Sequence, residues 1–217
     1  MSKVISLITG KGGAGKSTVA FNLSGSLAEK KNKVILVDAD NEKPDATGMY
    51  HQAESKKPKF DITLANHDNL REQISDLKDK YDFIIFDTPP NYTTSSLRSA
   101  IVSDFVIIIA APSFSDENAV AKSINIANDA LKPAYILLNK IFKQQKLSQN
   151  LIKETEKSCF NTLKTYITDK VAVRECAYFG EYVGEYAKDS ESHMEFKKLA
   201  NEVIKISTWK NGEICND

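Results

Sequence analysis

A short run rich in glycine and lysine near the start of the chain has the residue types and spacing to bind phosphate. The pattern G-x-x-x-x-G-K-[ST] is matched by Gly10, Lys11, Gly12, Gly13, Ala14, Gly15, Lys16, Ser17 and Thr18. Glycines let backbone N–H groups approach phosphate oxygens closely. Lys16 is expected to reach the β- and γ-phosphates, and the Ser17 hydroxyl to ligate Mg²⁺. The sequence predicts a nucleoside triphosphate site; the alternative is a glycine-rich turn that binds no ligand.

The loop contains a second lysine, Lys11, that its own phosphates do not require. Two cations so close together repel each other unless an anion lies between them. Lys11 is therefore either a solvated surface lysine or a group that stabilises charge developing on phosphate during transfer, as an arginine finger does.

Aspartates follow two apolar runs that are typical of strands. Asp38 and Asp40 come after residues 33–37, and Asp87 comes after residues 81–86. Ligands of open α/β sheets bind at the carboxyl ends of the strands, and Mg²⁺ prefers carboxylate oxygens. Each aspartate could instead be an ordinary turn residue, but a phosphate-binding loop in the same chain favours the metal site.

The apolar runs alternate with segments of helical periodicity, which predicts an α/β fold with a doubly wound, mostly parallel sheet. The predicted strands are 3–9, 33–37, 59–63, 81–86, 104–110 and 134–138, and the predicted helices are 17–30, 66–80, 119–131 and 146–157. A capping box of Ser192 and Glu195 predicts a last helix with Met194 in its apolar stripe. Residues 41–59 are expected to form a loop.

Three segments resemble those of one known family. Residues 11–18 resemble the deviant Walker A motif of the ParA/MinD ATPases, residues 38–40 its switch I, and residues 87–90 its switch II. This chain has Asn41-Glu42-Lys43-Pro44 where many members have Pro-Gln-Gly, a departure closer to small ParA-type proteins without an N-terminal DNA-reading domain.

The resemblance assigns roles to the candidate residues. It implies that Lys11 crosses a face-to-face ATP dimer and touches the nucleotide of the other subunit. It also implies that Asp40 orients or activates the attacking water, while Asp38 and Asp87 support Mg²⁺ through its water shell.

Two further matches are weaker. Asn139 lies where the family often places an adenine-contacting asparagine, but it could equally cap the next turn. Arg174 belongs to a segment resembling the family's late region near the nucleotide and the dimer face. A surface salt bridge explains Arg174 equally well.

Composition limits the remaining choices. The 217 residues carry a formal net charge of +0, so no global field attracts DNA or acidic lipid. We expect one ATPase domain over residues 1–217. The three cysteines do not have the C-x-x-C spacing of metal ligands, and they indicate a reducing compartment; they are Cys159, Cys176 and Cys215. No apolar run approaches the length of a membrane span, and the first strand follows the start directly, so we expect a cytoplasmic protein without a membrane partner.

The resemblance implies an Mg²⁺-dependent ATPase for plasmid or chromosome partition. ATP would join two copies, the dimer would bind DNA without sequence preference and become nucleoid-associated, and a centromere-binding or adaptor protein would stimulate hydrolysis. The candidate DNA contacts are Lys140, Lys143, Lys146, Lys153, Lys157 and Lys164, several at helical spacing. A solvated helix face is the alternative for these lysines.

Three other functions stay open. One is a ParA-like helper of conjugative DNA transfer. Another is a MinD-like positioning ATPase, although residues 207–217 make a poor amphipathic anchor despite Trp209. The third is a small-molecule or electron-transfer enzyme, which would need a substrate pocket or paired cysteines.

Overall fold

A computed structural model describes residues 1–53, 57–91, 93–112 and 116–208, so the predictions for Trp209, Cys215 and the rest of residues 209–217 lie outside the described residues. Within these ranges six strands form one sheet in which every pairing is parallel. The strands are β1 Lys3–Ile8, β2 Val34–Asp38, β3 Asp61–Leu64, β4 Phe83–Asp87, β5 Phe105–Ala110 and β6 Ala134–Leu138. Their order is β3-β2-β4-β1-β5-β6. The predicted α/β fold class is confirmed.

Helices connect the strands and cover both faces of the sheet. In chain order they are α1 Lys16–Glu29, α2 Asp45–His51, α3 Leu70–Lys78, α4 Thr94–Val102, α5 Asp116–Asp129, α6 Lys146–Lys157, α7 Val171–Tyr178, α8 Val183–Tyr186 and α9 Glu191–Thr208. None of the described helices is both long and apolar enough to cross a membrane.

The central strands are apolar on both sides because both faces are covered. Ile5 and Leu7 of β1 belong to the core shared with α1 and α9. Val4 lies in the core that contains α3 residues, and Ile8 lies in the one that contains residues of α4 and α5. This two-sided burial accounts for the continuous apolar runs in the sequence.

The prediction of a loop over residues 41–59 is wrong in part, because α2 forms there. The helix follows Pro44 and contains Gly48, which weakens its intrinsic propensity. Contacts outside the helix hold it in place: Asp38 Oδ2 accepts hydrogen bonds from Thr47 N at 2.9 Å and Thr47 Oγ1 at 3.0 Å, and Ala46 is buried in the core. Periodicity also missed α4, α7 and α8.

The predicted start of the last helix is wrong by two residues. Ser190 precedes α9, and its Oγ accepts from the backbone N of His193 at 3.2 Å, as an N-cap does. Glu195 accepts from Thr168 N at 3.0 Å and Thr168 Oγ1 at 2.9 Å. Met194 is 43% exposed, whereas Phe196 fills the core.

Candidate nucleotide-binding site

The glycine-rich loop joins the end of β1 to the start of α1, at the centre of the sheet. Gly13 and Gly15 have φ angles of 79° and 88°, the left-handed region that glycine adopts without strain. Gly10 is required for space, because a Cβ there would lie 2.1 Å from the carbonyl oxygen of Ala119. The predicted strand–loop–helix order is therefore present.

Lys16 and Asp87 form a buried ion pair beside the loop. Lys16 Nζ lies 2.5 Å from Asp87 Oδ1, and the side chains are 7% and 1% exposed. Burying two charges costs desolvation energy that only close pairing offsets. The arrangement places an ammonium group and a carboxylate at the carboxyl end of β4, next to the start of α1.

Asp38 lies beside Asp87 because the two are register partners at the ends of β2 and β4. Asp38 is fully buried and accepts hydrogen bonds from Thr47 and from the backbone N of Asp40, the latter at 3.2 Å. Burial, with the nearby Asp87 charge adding to it, raises the pKa of Asp38 despite these hydrogen bonds. A cation would relieve this clustered negative charge.

The two aspartates and Ser17 suit Mg²⁺. They offer hard oxygen donors at the end of the sheet, and Ser17 is in the first turn of α1. The described residues contain no group of three or more His, Cys, Asp or Glu side chains that could hold a metal ion. Two carboxylates and a hydroxyl fit Mg²⁺, which usually takes one or two carboxylates and completes its coordination with phosphates and water.

The segment after β2 is tied to the neighbouring strand and helix. Ala39 N donates to the carbonyl of Asp87 at 2.8 Å, and Ser95 Oγ donates to the carbonyl of Ala39 at 2.9 Å. Asp40 is half-buried, and its Oδ1 accepts from Lys43 N at 3.1 Å. The segment predicted to be switch I is thus linked to the one predicted to be switch II.

Two residues at the end of β6 contact the glycine-rich loop. Asn139 Nδ2 donates to the carbonyl of Ala14 at 2.8 Å, and Lys140 Nζ donates to the carbonyl of Gly13 at 2.8 Å. The contact of Asn139 differs from turn capping, and its role at adenine stays a prediction. Lys140 is one of the candidate DNA contacts, and its contact with the loop was not predicted from the sequence.

Arg174 forms an ion pair with Asp169, at 3.0 Å from Nη1 to Oδ1, and its side chain is 60% exposed. This is the surface salt bridge that the sequence left open. A role at the nucleotide or the dimer face stays a prediction.

The helical spacing predicted for the candidate DNA contacts holds for only three lysines. Lys146, Lys153 and Lys157 are exposed on α6, which ends at Lys157. Lys164 lies beyond the helix, where its backbone N donates to Glu202. Lys143 Nζ lies 5.7 Å from the ring centroid of Tyr166.

The model of one protein family matches most of the chain. It describes the CobQ/CobB/MinD/ParA nucleotide-binding domain and matches residues 5–183. The chain belongs to this family. The predicted resemblance to ParA/MinD proteins is therefore confirmed.

Individual ParA/MinD relatives align over nearly the whole chain. The chromosome partitioning protein ParA of Myxococcus xanthus is 24% identical over 97% of this chain and 91% of its own length. The septum site-determining protein MinD of Pyrococcus horikoshii, solved with Mg-ADP, has a TM-score of 0.77 at 24% identity and covers 96% of this chain and 98% of its own. A plasmid partition protein of Borrelia burgdorferi bound to AMPPNP has a TM-score of 0.76 at 18% identity. The match covers 95% of this chain and 100% of that protein's chain. At these identities the structural likeness shows the fold.

Proposed function

We propose that this protein is a Mg²⁺-dependent ATPase that segregates DNA, and that ATP joins two copies of it. The observation that carries the proposal is the arrangement of Lys16, Asp38 and Asp87 at the ends of adjoining elements, beside a loop that bears the additional Lys11. Membership of the ParA/MinD family and similarity to a chromosome partitioning protein support this choice.

Each side chain has a proposed part in binding or hydrolysis. Lys16 donates to β- and γ-phosphate oxygens, while Ser17, Asp38 and Asp87 hold Mg²⁺, directly or through its water shell. Asp40 orients or activates the attacking water. When bound, Mg-ATP supplies the phosphoanhydride bond that is broken and a cation that neutralises its charge.

Lys11 is proposed to act across the dimer. It is half-buried on the loop, next to the exposed Gly12. An ammonium group brought to the phosphates of a second copy would favour both association and transfer of the γ-phosphoryl group. ATP binding and dimer formation would then be one linked equilibrium.

The proposed DNA surface is the exposed lysine row of α6, Lys146, Lys153 and Lys157. Because the formal net charge is +0, attraction to phosphate has to be local. Doubling this row in a dimer would strengthen a weak, sequence-independent contact. An adaptor protein would release the dimer from DNA by stimulating ATP hydrolysis.

A salt series tests DNA binding. Asp40→Ala should trap the ATP-bound dimer, which should hold DNA with an affinity that falls steeply with salt. Replacing Lys146, Lys153 and Lys157 together by Gln removes six lysines from the dimer and should lower the steepness of log affinity against log salt by about 5. The matched control replaces the exposed Lys57, Lys78 and Lys80 by Gln.

The outcomes separate the candidate functions. If the α6 triple variant and the control triple variant show equal slopes of log DNA affinity against log salt, α6 is not the DNA surface. No DNA retention by the trapped dimer at low salt would contradict the segregation role. Binding of ATP-loaded protein to anionic liposomes in its place would favour the MinD-type positioning alternative, which the fold also fits.

A further inference from the structure

Two successive carbonyl groups of the phosphate-binding loop are held from the same side. Lys140 Nζ donates to Gly13 O, and Asn139 Nδ2 donates to Ala14 O, both at 2.8 Å. Asn139 and Lys140 are consecutive residues directly after β6. Hydrogen bonds between neighbouring side chains and neighbouring peptide groups therefore link the sheet to the loop.

These bonds determine where two amide groups point. A trans peptide is planar, and its N–H lies opposite its C=O. The carbonyl of Gly13 shares a peptide with the N–H of Ala14, and the carbonyl of Ala14 shares one with the N–H of Gly15. With both carbonyls directed at β6, both N–H groups are directed away from it.

The residues that hold the loop are themselves fixed. Asn139 N donates to Ala110 O at 2.7 Å, and Ile141 N donates to Ile167 O at 3.0 Å. Between them Lys140 has a φ of 57°, a left-handed conformation that is unfavourable for a side chain-bearing residue. The backbone on both sides is anchored, so this conformation is maintained and aims Lys140 at the loop.

Both side chains also cover Gly15. A Cβ on Gly15 would lie 2.5 Å from Asn139 Nδ2 and 3.4 Å from Lys140 Cε. Close packing and hydrogen bonding thus act on the same two peptides. We propose that Lys140 is a positioning residue that, together with Asn139, fixes the N–H groups of Ala14 and Gly15 for binding phosphate oxygens.

This inference rests on the proposed nucleotide binding and makes a specific distinction. Backbone N–H groups of such a loop bind the α- and β-phosphates. Loss of the Lys140 ammonium group should therefore lower the affinities for ATP, ADP and inorganic tripolyphosphate by a similar factor. A lysine that contacts the base or sugar would affect the nucleotides alone.

The test measures binding of the three ligands by calorimetry to the wild type, Lys140→Met and Lys143→Met. Lys140→Met keeps the aliphatic stem over Gly15 and removes the hydrogen bond. Lys143→Met removes the same charge from an exposed residue three positions later. We expect Lys140→Met to lower the affinity for each of the three ligands about tenfold and Lys143→Met to leave these affinities nearly unchanged. Lys140→Arg should recover part of the lost affinity.

Two results would overturn the inference: equal affinities in Lys140→Met and Lys143→Met, or a loss confined to ATP and ADP. The hydrogen-exchange rates of the Ala14 and Gly15 amides measure how well the loop is ordered when no ligand is bound. Faster exchange in Lys140→Met than in Lys143→Met supports the inference, and equal rates oppose it. If the wild type binds no nucleotide, the proposed function fails, and amide exchange still decides the role of Lys140.

Discussion

At the residue scale, the buried pair of Lys16 and Asp87 connects stability with ligand binding. Each charge is almost completely withdrawn from water and depends on the other. A phosphate and a cation would each give one of these groups a second partner. In the proposed function, the same two side chains that pair in the folded chain would therefore contact Mg-ATP.

Lys16→Met should leave the Asp87 carboxylate buried without its ammonium partner. We expect the free energy of unfolding to fall by about 3 kcal/mol and ATP binding to be lost. Urea unfolding and calorimetry measure the two effects. Adding Asp87→Asn should recover much of the stability and none of the ATP binding. If Lys16→Met is as stable as the wild type, the ion pair does not contribute to folding.

The sequence predicted the positions of Asp38 and Asp87 in the fold for a physical reason. Each follows an apolar run, so the strand pattern places both at the carboxyl ends of parallel strands. The structure adds that the two strands are neighbours and that Asp38 and Asp87 are register partners. The contact of Lys140 could not be predicted in this way. It depends on how closely the turn after β6 approaches the loop, and spacing in the sequence carries no information about that distance.

At the element scale, three helices meet at the C-terminal end of α1. Glu29 accepts from Tyr182 OH at 3.0 Å and from His193 Nε2 at 2.9 Å. The amide of Asp189 donates to His193 Nδ1, so the ring proton lies on Nε2. Nearby, Asn22 Oδ1 accepts from Val183 N at 2.7 Å. These contacts join α1 to α8 and α9.

Glu29→Gln should weaken this junction. Burial raises the pKa of Glu29, but hydrogen bonds from His193 and Tyr182 outweigh it, so the pKa lies below its ordinary value of 4.5. A lowered carboxylate pKa adds stability above about 4.5, which is lost as pH falls through the folded-state pKa. Glu29→Gln should lose about 1 kcal/mol of unfolding free energy at pH 7.

Urea unfolding across pH measures this effect. The gap between wild type and Glu29→Gln should narrow as pH falls below 4.5. Glu156→Gln, on an exposed residue of α6, is the control and should follow the wild type throughout. A gap that stays constant with pH would show that the Glu29 charge is not responsible.

Short helices were the hardest elements to predict because contacts distant in sequence stabilise them. The four-residue α8 is too short for apolar periodicity, and Asn22 fixes its start. By contrast, α6 begins and ends where the sequence predicted. Longer segments carry enough repeats of their own, whereas α2 and α8 require the rest of the fold.

At the scale of the whole molecule, the proposed ATP-joined dimer requires two copies to approach closely at the glycine-rich loop. The comparisons establish the family and the fold, while the dimer and the single-domain organisation stay predictions. Gly12 offers a direct probe. A Cβ there meets no atom within 4 Å in the single chain.

Gly12→Val should therefore fold and bind ATP as a single chain, but its side chain should obstruct a second copy. Thermal unfolding and calorimetry check the first part, and light scattering with a non-hydrolysable ATP analogue checks the second. Gly48→Val, also at an open position, is a control for adding the same side chain. Unimpaired association of Gly12→Val would mean that the copies meet elsewhere.

The most direct measurement is the mass of the protein in solution with a non-hydrolysable ATP analogue, compared between wild type and Lys11→Gln. We predict a wild-type dimer, and a Lys11→Gln monomer that still binds the analogue. A wild-type chain that stays monomeric at saturating analogue, or a Lys11→Gln variant that dimerises equally well, would contradict the role of Lys11 between two copies.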